Sequence, residues 1–146
     1  MRRVIQYFIA YTLWIVNMAL SLWFAYLTRT SALGILALFY QQGDFQYTKL
    51  VNLVDRVLVV VLGLGWLVFT VVTEEYFRSG AKKKSLPIRF ARVTGSLILC
   101  IFVVDLTLFW VQGIGDWMRW LILIIELSAG LALVVFSGKN VKNSST

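Results

Sequence analysis

Four long apolar stretches constrain this chain more than any other feature of its sequence. They cover residues 5–27, 50–72, 93–111 and 117–136 approximately. Each approaches the roughly 20 apolar residues that an α-helix needs to cross a bilayer, and lipid forces such segments to be helical. The sequence therefore predicts an all-α membrane protein with four transmembrane helices in an antiparallel bundle. Residues 1–136 are expected to form one domain, followed by a polar cytoplasmic tail over residues 137–146.

The distribution of basic residues predicts the orientation of these spans. Ten of the 14 Lys and Arg residues lie at the N-terminus, between the second and third stretches, or in the tail. An even number of spans puts these regions on one side, and cytoplasmic loops carry an excess of Lys and Arg. We expect both termini to be cytoplasmic and the protein to lie in the plasma (inner) membrane. The first stretch exceeds the roughly 7–15 residues of a signal-peptide apolar region, so an uncleaved span is predicted.

The connection between the second and third spans is the most basic part of the chain. Its cations are Arg78, Lys82, Lys83, Lys84, Arg89 and Arg92. They predict contact with anionic lipid headgroups at the cytoplasmic face, although topology alone would also explain them. Between the first two spans, residues 32–40 form an apolar run that is too short to cross. We predict that this run is a short interfacial helix in the first extracytoplasmic loop.

Polar residues within the apolar stretches predict which helix faces look inward. Lipid disfavours such residues, whereas helix–helix contacts use small residues for close approach and polar ones for hydrogen bonds. In the second stretch a stripe with alternating steps of four and three residues runs from Asn52 through Arg56, Gly63 and Thr70. The alternative is that the polar faces line a hydrated path. The residues predicted to form the polar interior of the bundle are Asn17, Ser21, Asn52, Thr70 and Gln112.

Four ionisable residues within the spans are predicted to form an intramembrane ionic cluster: Arg56, Asp105, Arg119 and Glu126. An unpaired charge there costs on the order of 2.5–3.5 kcal/mol on insertion scales. We therefore expect an ion pair between Arg56 and Asp105, with Glu126 either protonated or reached by Arg119. Such a cluster serves either to fix helix order and register or to relay protons or cations.

The composition argues against catalysis. Histidine is absent and Cys100 is the one cysteine, so the usual general base and the usual metal ligands are missing. We expect no enzyme activity, cofactor, metal site or nucleic-acid partner. The leading hypothesis is a non-catalytic accessory or structural subunit that packs against other membrane proteins or itself. The alternative is a small proton- or cation-coupled transporter or channel using Asp105 and Glu126, and a third hypothesis is lipid binding through the basic loop.

Overall fold

The computed structural model describes residues 2–39, 45–82, 85–113 and 117–142. Over these ranges the chain forms four helices and no strand: α1 (Arg2–Phe39), α2 (Phe45–Lys82), α3 (Leu86–Gln112) and α4 (Trp117–Lys142). Each helix is long and apolar enough to cross a membrane. The prediction of an all-α protein with four transmembrane helices is confirmed at this level, and the chain is a small multi-pass membrane protein.

The first helix is longer than predicted. Residues 32–39 continue α1 and do not form a separate interfacial helix, so that prediction is wrong; residue 40 lies outside the described part. Two polar residues before this run are satisfied within the helix, because Thr28 and Thr30 donate hydrogen bonds to the carbonyls of Phe24 and Tyr26, at 2.8 and 3.0 Å. The 38 residues of α1 are about 57 Å long, well beyond the roughly 30 Å of a hydrocarbon core.

The remaining helix boundaries also extend past the predicted spans. α2 continues to Lys82 and α3 begins at Leu86 with Pro87 in its first turn, where a missing N–H is tolerated. Much of the predicted basic loop is therefore helical. α4 continues past residue 136 to Lys142, and Ser137 is buried. We call the end of the bundle with Lys82 and Leu86 the basic end, and the opposite end the turn end.

The four helices are arranged as an open row in the order α2, α1, α3, α4. Among the described residues, α4 packs against α3 alone, and α1 packs against both α2 and α3. Hydrogen bonds and close contacts give the registers. Trp14 and Arg29 of α1 meet Thr70 and Asp55 of α2, so later α1 residues meet earlier α2 residues.

The register of α1 and α3 is constant along the bundle. Asn17 pairs with Thr94, 77 residues later, and Gly34 lies against Val111 at the same separation. These two helices therefore run in the same direction. This register also relates any level of α1 to a level of α3.

Two clusters of buried apolar side chains hold the row together. At the basic end, Phe77 of α2 is fully buried against Ala10 and Leu86. Nearer the turn end, Leu27 of α1 packs against Ile101 and Leu108 of α3 without any α2 residue. α2 therefore joins the three-helix contact at the basic end, and farther along it is held mainly by α1.

Close approach of glycine backbones fixes α3 against α4. A Cβ added to Gly130 would lie 2.8 Å from Leu99 Cδ2, and one added to Gly95 would lie 3.2 Å from the Gly130 carbonyl oxygen. α3 ends at Gln112 and is capped by Gly113, whose φ of 61° lies in the left-handed region that favours glycine and whose N–H bonds to the Phe109 carbonyl. Phe109 then meets Trp120 of α4 edge to face, with ring centroids 4.9 Å apart.

Candidate functional site in the membrane-spanning region

A buried amide links α1 to α3 in the middle of the row. The side chain of Asn17 is fully buried. Its Nδ2 donates to the Leu13 carbonyl at 3.0 Å, and its Oδ1 accepts a hydrogen bond from Thr94 Oγ1 at 3.1 Å. Polar groups in lipid need such partners, so this bond favours one register of α1 on α3.

Two tryptophans link α1 to α2 at the same depth. Trp14 Nε1 donates to the Thr70 carbonyl at 3.3 Å, and Trp66 Nε1 donates to Ser21 Oγ at 3.1 Å. Ser21 is buried and in turn donates to the Met18 carbonyl. We call this set, together with Asn17 and Thr94, the polar seam. Three residues of the predicted interior, Asn17, Ser21 and Thr70, lie in it, and their hydrogen bonds join helices or stay within one helix.

The turn-end half of the predicted α2 stripe faces outward. Asn52 and Arg56 are exposed, so the prediction that Asn52 lies in the interior is wrong. The reason is that a stripe repeating every 3.5 residues drifts around a helix of 3.6 residues per turn. Asp55 lies 18 residues, or about five full turns, before buried Thr73 and therefore shares its face. Arg56, the next residue, is turned about 100° away from that face. The side chain of Gln112 lies outside the described part.

An ion pair that the sequence analysis missed joins α1 to α2. Arg29 donates from Nε to Asp55 Oδ1 at 2.5 Å and from Nη2 to Asp55 Oδ2 at 2.8 Å. A signal was available, because Arg29 and Asp55 are equally far in sequence from Gln42, the midpoint of the connection between α1 and α2. Neighbouring helices joined by a short connection bring such symmetric positions together.

The predicted ion pair between Arg56 and Asp105 does not form. Among the described residues an ion pair forms between Arg29 and Asp55. Neither Arg56 nor Asp105 forms an ion pair within that part of the chain. The physical reason is the helix order: α1 stands between α2 and α3 at this level, and Arg56 points away from the row.

Arg119 and Glu126 lie on the face of α4 that packs against α3. They follow the helical spacing of buried Leu123 and Gly130 on that face. Arg119 Nη1 and Glu126 Oε2 are buried, and neither atom has a hydrogen-bond partner within the described part of the chain. No ion pair joins Arg119 to Glu126 among the described residues, so of the two alternatives predicted for Glu126 the contact with Arg119 is not seen. The tightly packed interface contains unsatisfied polar atoms.

Six ionisable side chains lie at similar depth in the row, and we call them the charged layer: Arg29, Asp55, Arg56, Asp105, Arg119 and Glu126. The α1–α3 register puts Arg29 level with residue 106, next to Asp105. The contact of Phe109 with Trp120 puts Arg119 and Glu126 within roughly 6 Å of that level. Three arginines and three carboxyl groups share the layer, so its formal charges balance.

The basic residues near the basic end differ in what they contact. Arg89 Nη1 donates to the Tyr76 carbonyl at 2.7 Å, and its guanidinium lies 4.6 Å from the Tyr76 ring centroid, so Arg89 fastens α3 to α2. Arg78, Lys82 and Arg92 are exposed. Lys83 and Lys84 lie outside the described residues. Three cations of the predicted headgroup-binding set are thus exposed at this end of the bundle.

No known protein family, curated protein or solved structure matches this chain. The site therefore has to be interpreted from its own geometry.

Proposed function

We propose that the protein is a non-catalytic subunit of a larger membrane assembly, and that a transmembrane helix of another protein packs into the groove between α2 and α3. The observation that carries this proposal is the divergence of α2 from α3. The two helices meet at the basic end through Phe77 and Leu86, and farther along they separate around a cavity of about 370 Å³. We call this cavity the α2–α3 groove.

The shape and lining of the α2–α3 groove suit a helix. Its floor is α1, with Ala25 and Phe24; its walls include Gly65 and Phe69 of α2 and Leu97 of α3. Helices in membranes associate by close packing at small residues, because lipid supplies no hydrophobic force between them. A Cβ added to Gly65 would have no atom within 4 Å. A helix from another protein can therefore approach the backbone of α2 closely at Gly65.

Photo-crosslinking in native membranes tests the proposal. A photoreactive amino acid placed at Gly65 faces the groove, whereas one at the adjacent Leu64, which is 60% exposed, points about 100° away. We expect position 65 to give an adduct with another membrane protein and position 64 to give none. The same protein captured from both positions, or no protein captured from position 65, would contradict a partner helix in this groove.

A transport function is the second candidate, and the unpartnered buried oxygen of Glu126 supports it. Carboxyl groups inside a membrane commonly mark proton or ion pathways, and Glu126 faces the helix that carries Asp105. The test is proton and cation flux in liposomes, comparing the wild type with Asp105→Asn and Glu126→Gln. Flux that both variants abolish would favour transport. Absent flux, or flux that neither variant changes, would eliminate this function.

The proposed orientation has both termini in the cytoplasm, with the basic end at the inner surface of the plasma membrane. The support is the concentration of Lys and Arg at that end, including exposed Arg78, Lys82 and Arg92. A fluorescent protein that matures in the cytoplasm but not after export, fused to the C-terminus, should fluoresce. A dark fusion that is present in the membrane at normal levels would contradict the orientation.

A further inference from the structure

A second groove lies on the opposite flank of α2, against α1. Its volume is about 270 Å³, and its apolar walls include Leu22 and Ala25 of α1 and Val59 and Gly63 of α2. Arg29 lines the end of this groove that is nearest the turn end. Because a Cβ added to Gly63 would have no atom within 4 Å, the glycine keeps the groove open. We call it the flank groove.

The end of the flank groove nearest the turn end is cationic. Arg29 uses Nε and Nη2 for Asp55, so its third nitrogen, Nη1, is not engaged by that carboxylate. Arg56 lies seven residues before Gly63, two turns along the same face of α2, and is exposed. Arg56 takes part in no ion pair within the described residues. Arg29, Asp55 and Arg56 together carry a formal charge of +1 at one end of an apolar slot.

We propose that the flank groove binds one anionic phospholipid, with the headgroup phosphate held by Arg56 and Arg29 Nη1 and one acyl chain lying along Gly63. An arginine exposed to lipid lowers its free energy by extending towards an anion at the bilayer surface. Arg56 is about six residues, or roughly 9 Å, below the level of Val111 near the end of α3. A phosphate group lies within that range, and the chain attached to it matches the apolar slot.

Lipid binding by the wild type and by matched variants, each measured separately, tests this proposal. Purified protein is titrated with phosphatidylglycerol or phosphatidylcholine, and bound lipid is counted by native mass spectrometry. We expect preference for the anionic lipid and an about fivefold loss of its affinity in Arg56→Gln, the factor for one basic contact with an anionic headgroup. Arg56→Lys keeps a positive charge at the same position and should retain most of that affinity.

The position of the acyl chain is tested with two glycines that face opposite grooves. Gly63→Leu fills the flank groove, and Gly65→Leu fills the α2–α3 groove; both glycines have open space around them, so both variants should fold. We expect lipid affinity to fall in Gly63→Leu alone. Equal binding of the two lipids, an unchanged affinity in Arg56→Gln, or a loss confined to Gly65→Leu would each overturn the proposal.

Photo-crosslinking at position 63 separates a lipid from a protein occupant. The expected product is a phospholipid adduct. A protein adduct from position 63 would overturn the lipid assignment and indicate that a partner covers this flank as well. Because position 65 reports on the α2–α3 groove, the lipid proposal and the proposed function can fail independently.

Discussion

The α3–α4 interface and the α1–α2 interface are built in opposite ways. α3 and α4 approach closely at Gly95 and Gly130, where an added methyl group would meet atoms 2.8–3.2 Å away. α1 and α2 are joined instead by large side chains that form polar contacts between the helices, including Trp14, Trp66 and the Arg29–Asp55 pair. The grooves on the two flanks of α2 lie between these polar contacts.

The difference shows which helix is free to bind something else. Close packing at small residues excludes lipid and makes α3–α4 a self-sufficient hairpin. Hydrogen bonds and an ion pair at separate points along α1 and α2 fix the position of α2 but leave cavities between these points. The glycines agree with this contrast, because a Cβ added to Gly63 or Gly65 of α2 would meet no neighbouring atom of the described residues within 4 Å. α2 is thus the helix with unfilled surface, and the following predictions test that contrast.

The largest effect is expected from Gly95→Val, which breaks the tight interface. The added Cβ would lie 3.0 Å from Leu133 Cβ and 3.2 Å from the Gly130 carbonyl oxygen, and backbone cannot move aside as a flexible side chain can. Overpacking of this kind costs about 1–3 kcal/mol, and we expect the upper end. The measurement is the free energy of unfolding in mixed detergent micelles, with Gly65→Val as the control. Equal losses in both variants would contradict the contrast between the interfaces.

The second largest effect is expected from Asp55→Asn. The substitution leaves Arg29 without its carboxylate inside the membrane-spanning region, and we expect a loss of stability that is smaller than that of Gly95→Val because Arg29 can extend to water. Arg56→Gln is the matched control, since this neighbouring cation has no ion pair with any described residue and its loss should change stability little in detergent. Exchange of the two charges, Arg29→Asp with Asp55→Arg, should restore part of the loss. A greater loss in Arg56→Gln than in Asp55→Asn would refute this role.

The sequence contains enough information for the helices but not for the order in which they pack. Apolar length and basic flanks are local properties, so four spans could be predicted before any contact was known. Helix order depends on pairwise contacts, and the stripe from Asn52 to Thr73 could not show that α1 would separate α2 from α3. The predicted Arg56–Asp105 pair failed for that reason.

The candidate site was predictable where helical drift is small. Thr70 is three residues from buried Thr73, and its carbonyl accepts a hydrogen bond from Trp14 at the α1–α2 contact. Asn52 and Arg56 are 21 and 17 residues from Thr73, and a repeat of 3.5 residues departs from a straight helix by about 20° per heptad. The stripe therefore left the contact face, and Asp55 took the position that Arg56 was expected to hold.

A smaller effect is expected at the α1–α3 contact of Asn17 with Thr94. Truncation by Asn17→Ala removes the acceptor of the Thr94 hydroxyl, and a double-mutant cycle with Thr94→Val should give a coupling of about 0.6 kcal/mol, the average for hydrogen bonds between membrane helices. Thr107→Val is the control, because its hydroxyl bonds to a carbonyl of its own helix. A coupling near zero would mean that this hydrogen bond does not hold α1 on α3.

The smallest effect is expected from Gly63→Ala and Gly65→Ala, and it sharpens the contrast most. Each added methyl group enters open space, so the free energy of unfolding should change by no more than about 0.5 kcal/mol, as for substitutions away from packed contacts. Gly130→Ala, which places a Cβ 2.8 Å from Leu99 Cδ2, should cost clearly more. If Gly65→Ala instead lowers stability as much as Gly130→Ala does, the α2–α3 groove must be occupied by another molecule in detergent. A loss that grows with protein concentration would then identify the occupant as a second copy of this chain, because only self-association depends on that concentration.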